Sequence, residues 1–260
     1  MDALEMLTEH AQELRESFVP HVVLGNGTVG LTQYTFYMIL VWIIVALIVC
    51  LVAKRLTLIP TNKFLNTVEY GYQFVRNDIG EGVIGHGFKK HVPFLATLFF
   101  FILVANFVGL IPGAGAATGA ISVTWALATI SFVYFNYWGI KAHGGLGYIK
   151  SIAPSGLPAP MVPIIWIFEF ISLVLRWLTL AVRLYGNMFA GHMVLGIFAL
   201  ATSIFINVGI QMASPIAAVS VGWFALLFIM YALECLVAFI QAYVFTVLSA
   251  VYVSLATSSH

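Results

Sequence analysis

Charge is the scarcest resource in this chain. Lys and Arg number 11 and Asp and Glu 10 among 260 residues, 8% in all, where a soluble domain carries about a quarter. With 62% hydrophobic positions, that scarcity excludes a water-soluble globular domain. A formal net charge of +1 offers no argument for nucleic acid, and none is expected as a partner. Cysteine is nearly absent as well. Cys50 and Cys235 both sit inside apolar runs, so they read as small hydrophobes and imply no disulfide framework or redox compartment. The N-terminus lacks a basic stretch followed by an apolar core, so no cleavable signal peptide is expected. The pattern His-Glu-x-x-His is missing, which removes the simplest intramembrane metalloprotease. No metal ion or cofactor is expected. No internal repeat is evident either, and a secondary transporter would usually show one.

What the sequence has in abundance is long apolar runs. With no water at bilayer depth to satisfy backbone groups, spans must be helices or a closed barrel. A barrel would alternate polar and apolar residues over short strands; these runs do not. The chain reads as an all-α polytopic membrane protein, a single membrane domain over 1–260. Residues 1–33 are acidic, and Leu4, Leu7, Ala11 and Leu14 recur at helical spacing, which suggests a short surface helix. Asn26-Gly-Thr28 formally matches a glycosylation acceptor, a pattern too short to weigh. The first span is 34–53, 20 residues without a charge, enough for about 30 Å of hydrocarbon. The loop 54–91 holds six of the eleven basic residues (Lys54, Arg55, Lys63, Arg76, Lys89, Lys90) and three acids. By the positive-inside rule it is cytoplasmic, which puts the N-terminus outside and the C-terminus in the cytoplasm. Phe64, Val68, Tyr72 and Val75 mark an amphipathic helix in that loop.

The second span is 92–111 and the third 121–140. A lone Asn106 inside the second is expected to make an inter-helix hydrogen bond. A loop with Lys141, Lys150 and several prolines follows. Two much longer runs remain, 162–211 and 214–258, parted at Ser214-Pro215. As one straight helix the first would be about 75 Å long, over twice the hydrocarbon thickness. Either each run folds into two short spans, or the two form a strongly tilted helical hairpin beside three roughly perpendicular spans.

The first long run carries three charges, Glu169, Arg176 and Arg183. Guanidinium stays protonated and costs about 2.5–3.5 kcal/mol at the centre of a membrane helix. At 100° per residue, Arg176 lies about 20° from Arg183, with Glu169 and Asn187 at about 40°. One face thus gathers every ionised group of the run. His192, nine positions on, points off the opposite face. The second run has one acid, Glu234, with Gln241 a heptad later. Two readings compete: Glu169 and Arg176 merely seal the helix near the interface while His192 is a satisfied core histidine, or these groups line an ion path. Arg183 is harder to absorb, because no second acid on its own run remains to serve it.

Arg183-Leu-Tyr-Gly-Asn187-Met-Phe-Ala-Gly191-His192 resembles subunit a of the F-type ATP synthase. That family's pattern is Leu-Arg-Leu-Phe/Tyr-Gly/Ala-Asn-Met-x-Ala-Gly, and only its first position departs, with Val182 for Leu. Leu236-Val-Ala-Phe-Ile-Gln241-Ala-Tyr and Asn106-Phe-Val-Gly-Leu-Ile-Pro112 agree as well, in the right order; the first 80 residues match only in hydropathy. The resemblance implies a proton-translocating stator subunit of the F1F0 complex, not catalytic by itself, in an energy-transducing membrane such as the bacterial inner membrane. Its implied partners are the c-subunit ring, the b subunits of the peripheral stalk and the bilayer. It implies that Arg183 meets the c-ring carboxylate and separates two offset half-channels. Asn187 and Gln241 would attend that contact, His192 and Glu234 would form a titratable pair in the outer half-channel, and Glu169, near Arg176, would serve the inner one. The alternative class is a polytopic secondary ion transporter using the same buried groups; co-purification with a ring of small subunits would separate the two.

Overall fold

The structure is a computed structural model, and it describes residues 22–26, 29–54, 63–111, 114, 116–145, 147–148, 161–212 and 217–258. The surface helix expected in 1–33, the Asn26-Gly-Thr28 pattern, the turn after Ile111, the proline-rich loop and Ser214-Pro215 fall wholly or partly outside them.

The described chain opens on a small antiparallel hairpin, β1 (Val22–Asn26) and β2 (Val29–Thr32), with Asn26 paired to Val29 and Val22 to Thr32. Every later element among the described residues is a helix. Helix α1 (Gln33–Lys54) buries a narrow stripe, Val41 and Val45 one turn apart, and leaves Trp42, Ile43 and Val49 more than half exposed. In water such a surface would drive aggregation; against lipid it is the ordinary state of a spanning helix.

Helix α2 (Lys63–Phe74) runs on into a π-helical stretch, Val75–Ile84, that stops at Gly85, whose φ of 70° suits glycine. Its buried positions are Leu65, Val75 and Ile79. Of the stripe read from the sequence only Val75 is fully buried; Phe64 and Tyr72 face outward at 56% and 42% exposure. Phe64 and Leu65 are adjacent and both apolar, so hydropathy alone does not rank one above the other.

Helix α3 (Val92–Gly109) accepts Pro93 because it lies in the first turn. This is the axis of the bundle: Leu95, Leu98, Phe99, Phe101, Ile102 and Ala105 are all buried. Helix α4 (Ile121–His143) packs mainly against the two long C-terminal helices, and meets α3 through side chains such as Phe94 stacked on Tyr134. Ser131 of α4 donates its hydroxyl hydrogen to Ser249 Oγ at 2.8 Å. The last two elements are single unbroken helices, α5 (Val162–Met212, 51 residues) and α6 (Ala217–Thr257, 41 residues). That removes the option of two short spans in each run. Gly186 and Gly191 do not break α5, since helical hydrogen bonds are the only way to satisfy backbone groups in hydrocarbon.

Among the described residues, four helices are long and apolar enough to cross a membrane: α1, α3, α5 and α6. Helix α4 has the length, 23 residues, but Thr124, Ser131, Asn136 and its aromatics dilute its hydropathy. The molecule is an all-α, multi-pass membrane protein with one small hairpin ahead of its first helix.

Candidate functional site

The polar groups singled out in the sequence gather along the α5–α6 pair. Contacts between the two helices step in opposite directions. Phe205 stacks on Trp223 at 5.7 Å, Glu234 lies against Gly191, and the Arg176 guanidinium sits 5.7 Å from the Tyr252 ring centroid. The helices are therefore antiparallel. Arg183 is eight residues before Gly191 and Gln241 seven after Glu234, so this register sets Gln241 at the level of Arg183.

Each group meets a different environment. Arg176 Nη2 is 3.8 Å from Glu169 Oε2, with 30% and 42% of the side chains exposed; the pair spans two helical turns, as long side chains allow. Arg183 is exposed and makes no salt bridge with any described residue. The face a third of a turn away is the packed one: Leu180, Ala181, Leu184 and Met188 are at most 2% exposed. Arg183 is thus held on the outer surface of α5 by a row of aliphatic residues that anchor the adjoining face.

Asn187, His192 and Gln241 share a rarer condition. The Asn187 Nδ2, His192 Nε2 and Gln241 Nε2 atoms are buried and have no hydrogen-bond partner. Buried polar atoms are nearly always paired, because an unpaired one costs about 1–3 kcal/mol. Among the described residues these three are the exceptions, and all three were candidates from sequence. Glu234 is half-buried, and its carboxyl group occupies the space beside Gly191, where a Cβ would come within 2.5 Å of its carboxyl carbon. It therefore lies at the residue preceding His192, though no hydrogen bond joins it to the imidazole. Gln241, 6% exposed, makes no hydrogen bond with Arg183 either.

Asn106 behaves as expected of an inter-helix bond. Its Nδ2 donates to the Ala238 carbonyl at 3.2 Å, and its Oδ1 accepts from the Thr118 hydroxyl at 2.8 Å. Ala238 is one turn beyond Glu234, so α3 sets the height of that part of α6. The sequence reading gave no site role to Gly191, which stands in the motif, or to Tyr252. Gly191 had a visible signal, a glycine abutting a polar residue in a helix with no turn; Tyr252 had none.

Unpaired buried polar groups along one long helix pair of a polytopic helical membrane protein suit the passage of a polar species. Comparison with known proteins sharpens that class. The profile of the family described as ATP synthase A chain matches residues 35–254. ATP synthase subunit a of Nocardioides sp. is 39% identical over 231 residues, covering 86% of this chain and 81% of the relative. The Chlorobium phaeobacteroides protein of that name is 36% identical over 247 residues, covering 94% and 70%. That of Pelagibacter ubique is 35% identical over 243 residues, covering 93% of both. The chain belongs to the ATP synthase subunit a family.

Proposed function

We propose that this chain is the proton-translocating stator subunit of an F-type ATP synthase, coupling transmembrane proton flow to rotation of a c-subunit ring. The observation that carries the reading is Arg183: a permanent cation, exposed on the side of a membrane-crossing helix, without a carboxylate partner among the described residues. Neither hydrocarbon nor the described residues offer it a counter-charge. A carboxylate on a partner chain would, and the essential carboxylate of a passing c subunit fits that role.

The remaining polar groups then divide by position along α5 and α6. Glu234 and His192 line the outer half-channel, their protonation accepting a proton from outside. Asn187 and Gln241 lie about the level of Arg183 and attend its contact with the ring. Glu169, beside Arg176, receives the proton on the cytoplasmic side. A c-ring carboxylate crosses lipid when protonated and not when ionised, because burying the charge is costly. Arg183 stands between the two paths and blocks the direct route. Each proton delivers about 2.3 kcal/mol per 100 mV, so several are needed for one ATP and a leak between the paths would be ruinous.

On this reading the N-terminus is outside and the C-terminus cytoplasmic, and the b subunits of the peripheral stalk hold the chain still. The location is an energy-transducing membrane of the bacterial inner-membrane type. Tagged chain extracted in mild detergent is expected to bring with it a ring of small carboxylate-bearing subunits and a nucleotide-hydrolysing head. Purification alone, with ion transport retained after reconstitution, would instead support a secondary transporter.

A further inference from the structure

We infer that Gly191 is a positioning residue for Glu234: the side chain it lacks makes the space in which the Glu234 carboxyl group stands. The inference rests on the reading that Glu234 lies in the proton path. A Cβ on Gly191 would approach both the carboxyl carbon and Oε1 of Glu234 to 2.5 Å, far inside the 3.5–4.0 Å at which nonbonded carbons rest. Backbone geometry does not demand glycine there. Gly191 lies in unbroken helix and is not among the glycines with positive φ. Alanine would even favour the helix by about 1 kcal/mol.

Gly186 supplies the contrast. It lies five residues earlier on the same helix, and a Cβ there would meet nothing within 4 Å. Of these two glycines on α5, only Gly191 leaves a space that another group fills. The helices cannot part to make room, because the interface around the site is tight. Leu184, Met188 and Leu195 of α5 and Ala238 and Ala242 of α6 are all buried, and Ala238 is tied to Asn106. A methyl at 191 would therefore displace the carboxyl and leave the helices in place. His192 Nε2, next in the chain and unpaired, would lose the acid at its side.

The test uses the whole ATP synthase in inverted membrane vesicles, with ATP-driven proton pumping as readout and the amount of assembled complex and its ATP hydrolysis as controls. Gly191→Ala is expected to lower pumping by about tenfold or more, the scale of a misplacement of roughly 1 Å, with assembly unchanged. Gly186→Ala is expected to pump normally. Glu234→Asp withdraws the carboxyl by one methylene, about 1.5 Å, so Gly191→Ala/Glu234→Asp is expected to recover to the level of Glu234→Asp alone. Normal pumping by Gly191→Ala, while Glu234→Gln is impaired, would overturn the inference and leave the proton-path reading standing. So would a loss in Gly191→Ala that the double variant does not relieve. Normal pumping by Glu234→Gln would overturn the reading of Glu234 itself, and the role of Gly191 with it.

Discussion

Arg176 and Arg183 stand one heptad apart on the same side of α5, and only Arg176 has a carboxylate. Arg176 reaches Glu169 at 3.8 Å and lies over the Tyr252 ring, whereas Arg183 is exposed and unpaired among the described residues. Two like residues on one face thus have different electrostatic situations, and their replacement should have unequal consequences.

Arg176→Gln removes half of a partly exposed ion pair. Such pairs are worth about 0–1 kcal/mol, which limits the expected loss of proton-driven ATP synthesis to about fivefold. Synthesis rates in reconstituted vesicles check this. A complete loss would show that Arg176, too, is indispensable to the proton path.

His192→Ala and Glu234→Gln are each expected to slow proton flux without abolishing it, because either can leave the other to relay protons through water. Passive proton conduction through the membrane sector, measured after the catalytic head is stripped off, provides the comparison. Flux equal to that of the unmodified protein in both variants would return the two residues to a packing role.

His91, just ahead of α3, makes stability depend on pH. It is 3% exposed, with Nδ1 3.0 Å from the Tyr134 hydroxyl and its ring 4.8 Å from Trp138. Burial, and secondly the charge of Lys90, lower its pKa from the ordinary value of 6.5. A histidine lowered on folding binds more protons unfolded than folded. Its contribution is therefore complete above the unfolded pKa of about 6.5 and is lost as pH falls through that value towards the folded one. Thermal unfolding of the complex in detergent is expected to show a stability decline between about pH 7 and pH 5 that His91→Gln flattens. An identical decline in the variant would contradict this.

Much of the architecture was legible in the sequence because the bilayer leaves the chain few choices. An uncharged stretch such as 34–53 must be helical through its length, and the helix found there is Gln33–Lys54. Likewise 162–211 emerged as Val162–Met212. What hydropathy does not carry is rotation about the axis. In helices apolar on all sides, nothing in composition distinguishes the face that packs from the face that meets lipid. For that reason Val41 and Val45, and not Trp42 or Ile43, turned out buried in α1. The β1–β2 hairpin was missed for a different reason, since strands of five and four residues carry no long apolar signal. In the candidate site, Arg183, Asn187, His192, Glu234 and Gln241 stood out because polar groups are rare in apolar runs. The Glu234–Gly191 contact did not, because it depends on the register of α5 against α6, which only the folded pair defines.

The central claim is that Arg183 awaits a carboxylate on another chain and keeps the two proton paths apart. The direct measurement is ATP synthesis by the Arg183→Ala complex in vesicles under an imposed proton gradient, alongside passive proton leak through the same vesicles. The account predicts no synthesis, with assembly of the complex preserved and a leak that no longer requires rotation. Normal synthesis at normal coupling would contradict it.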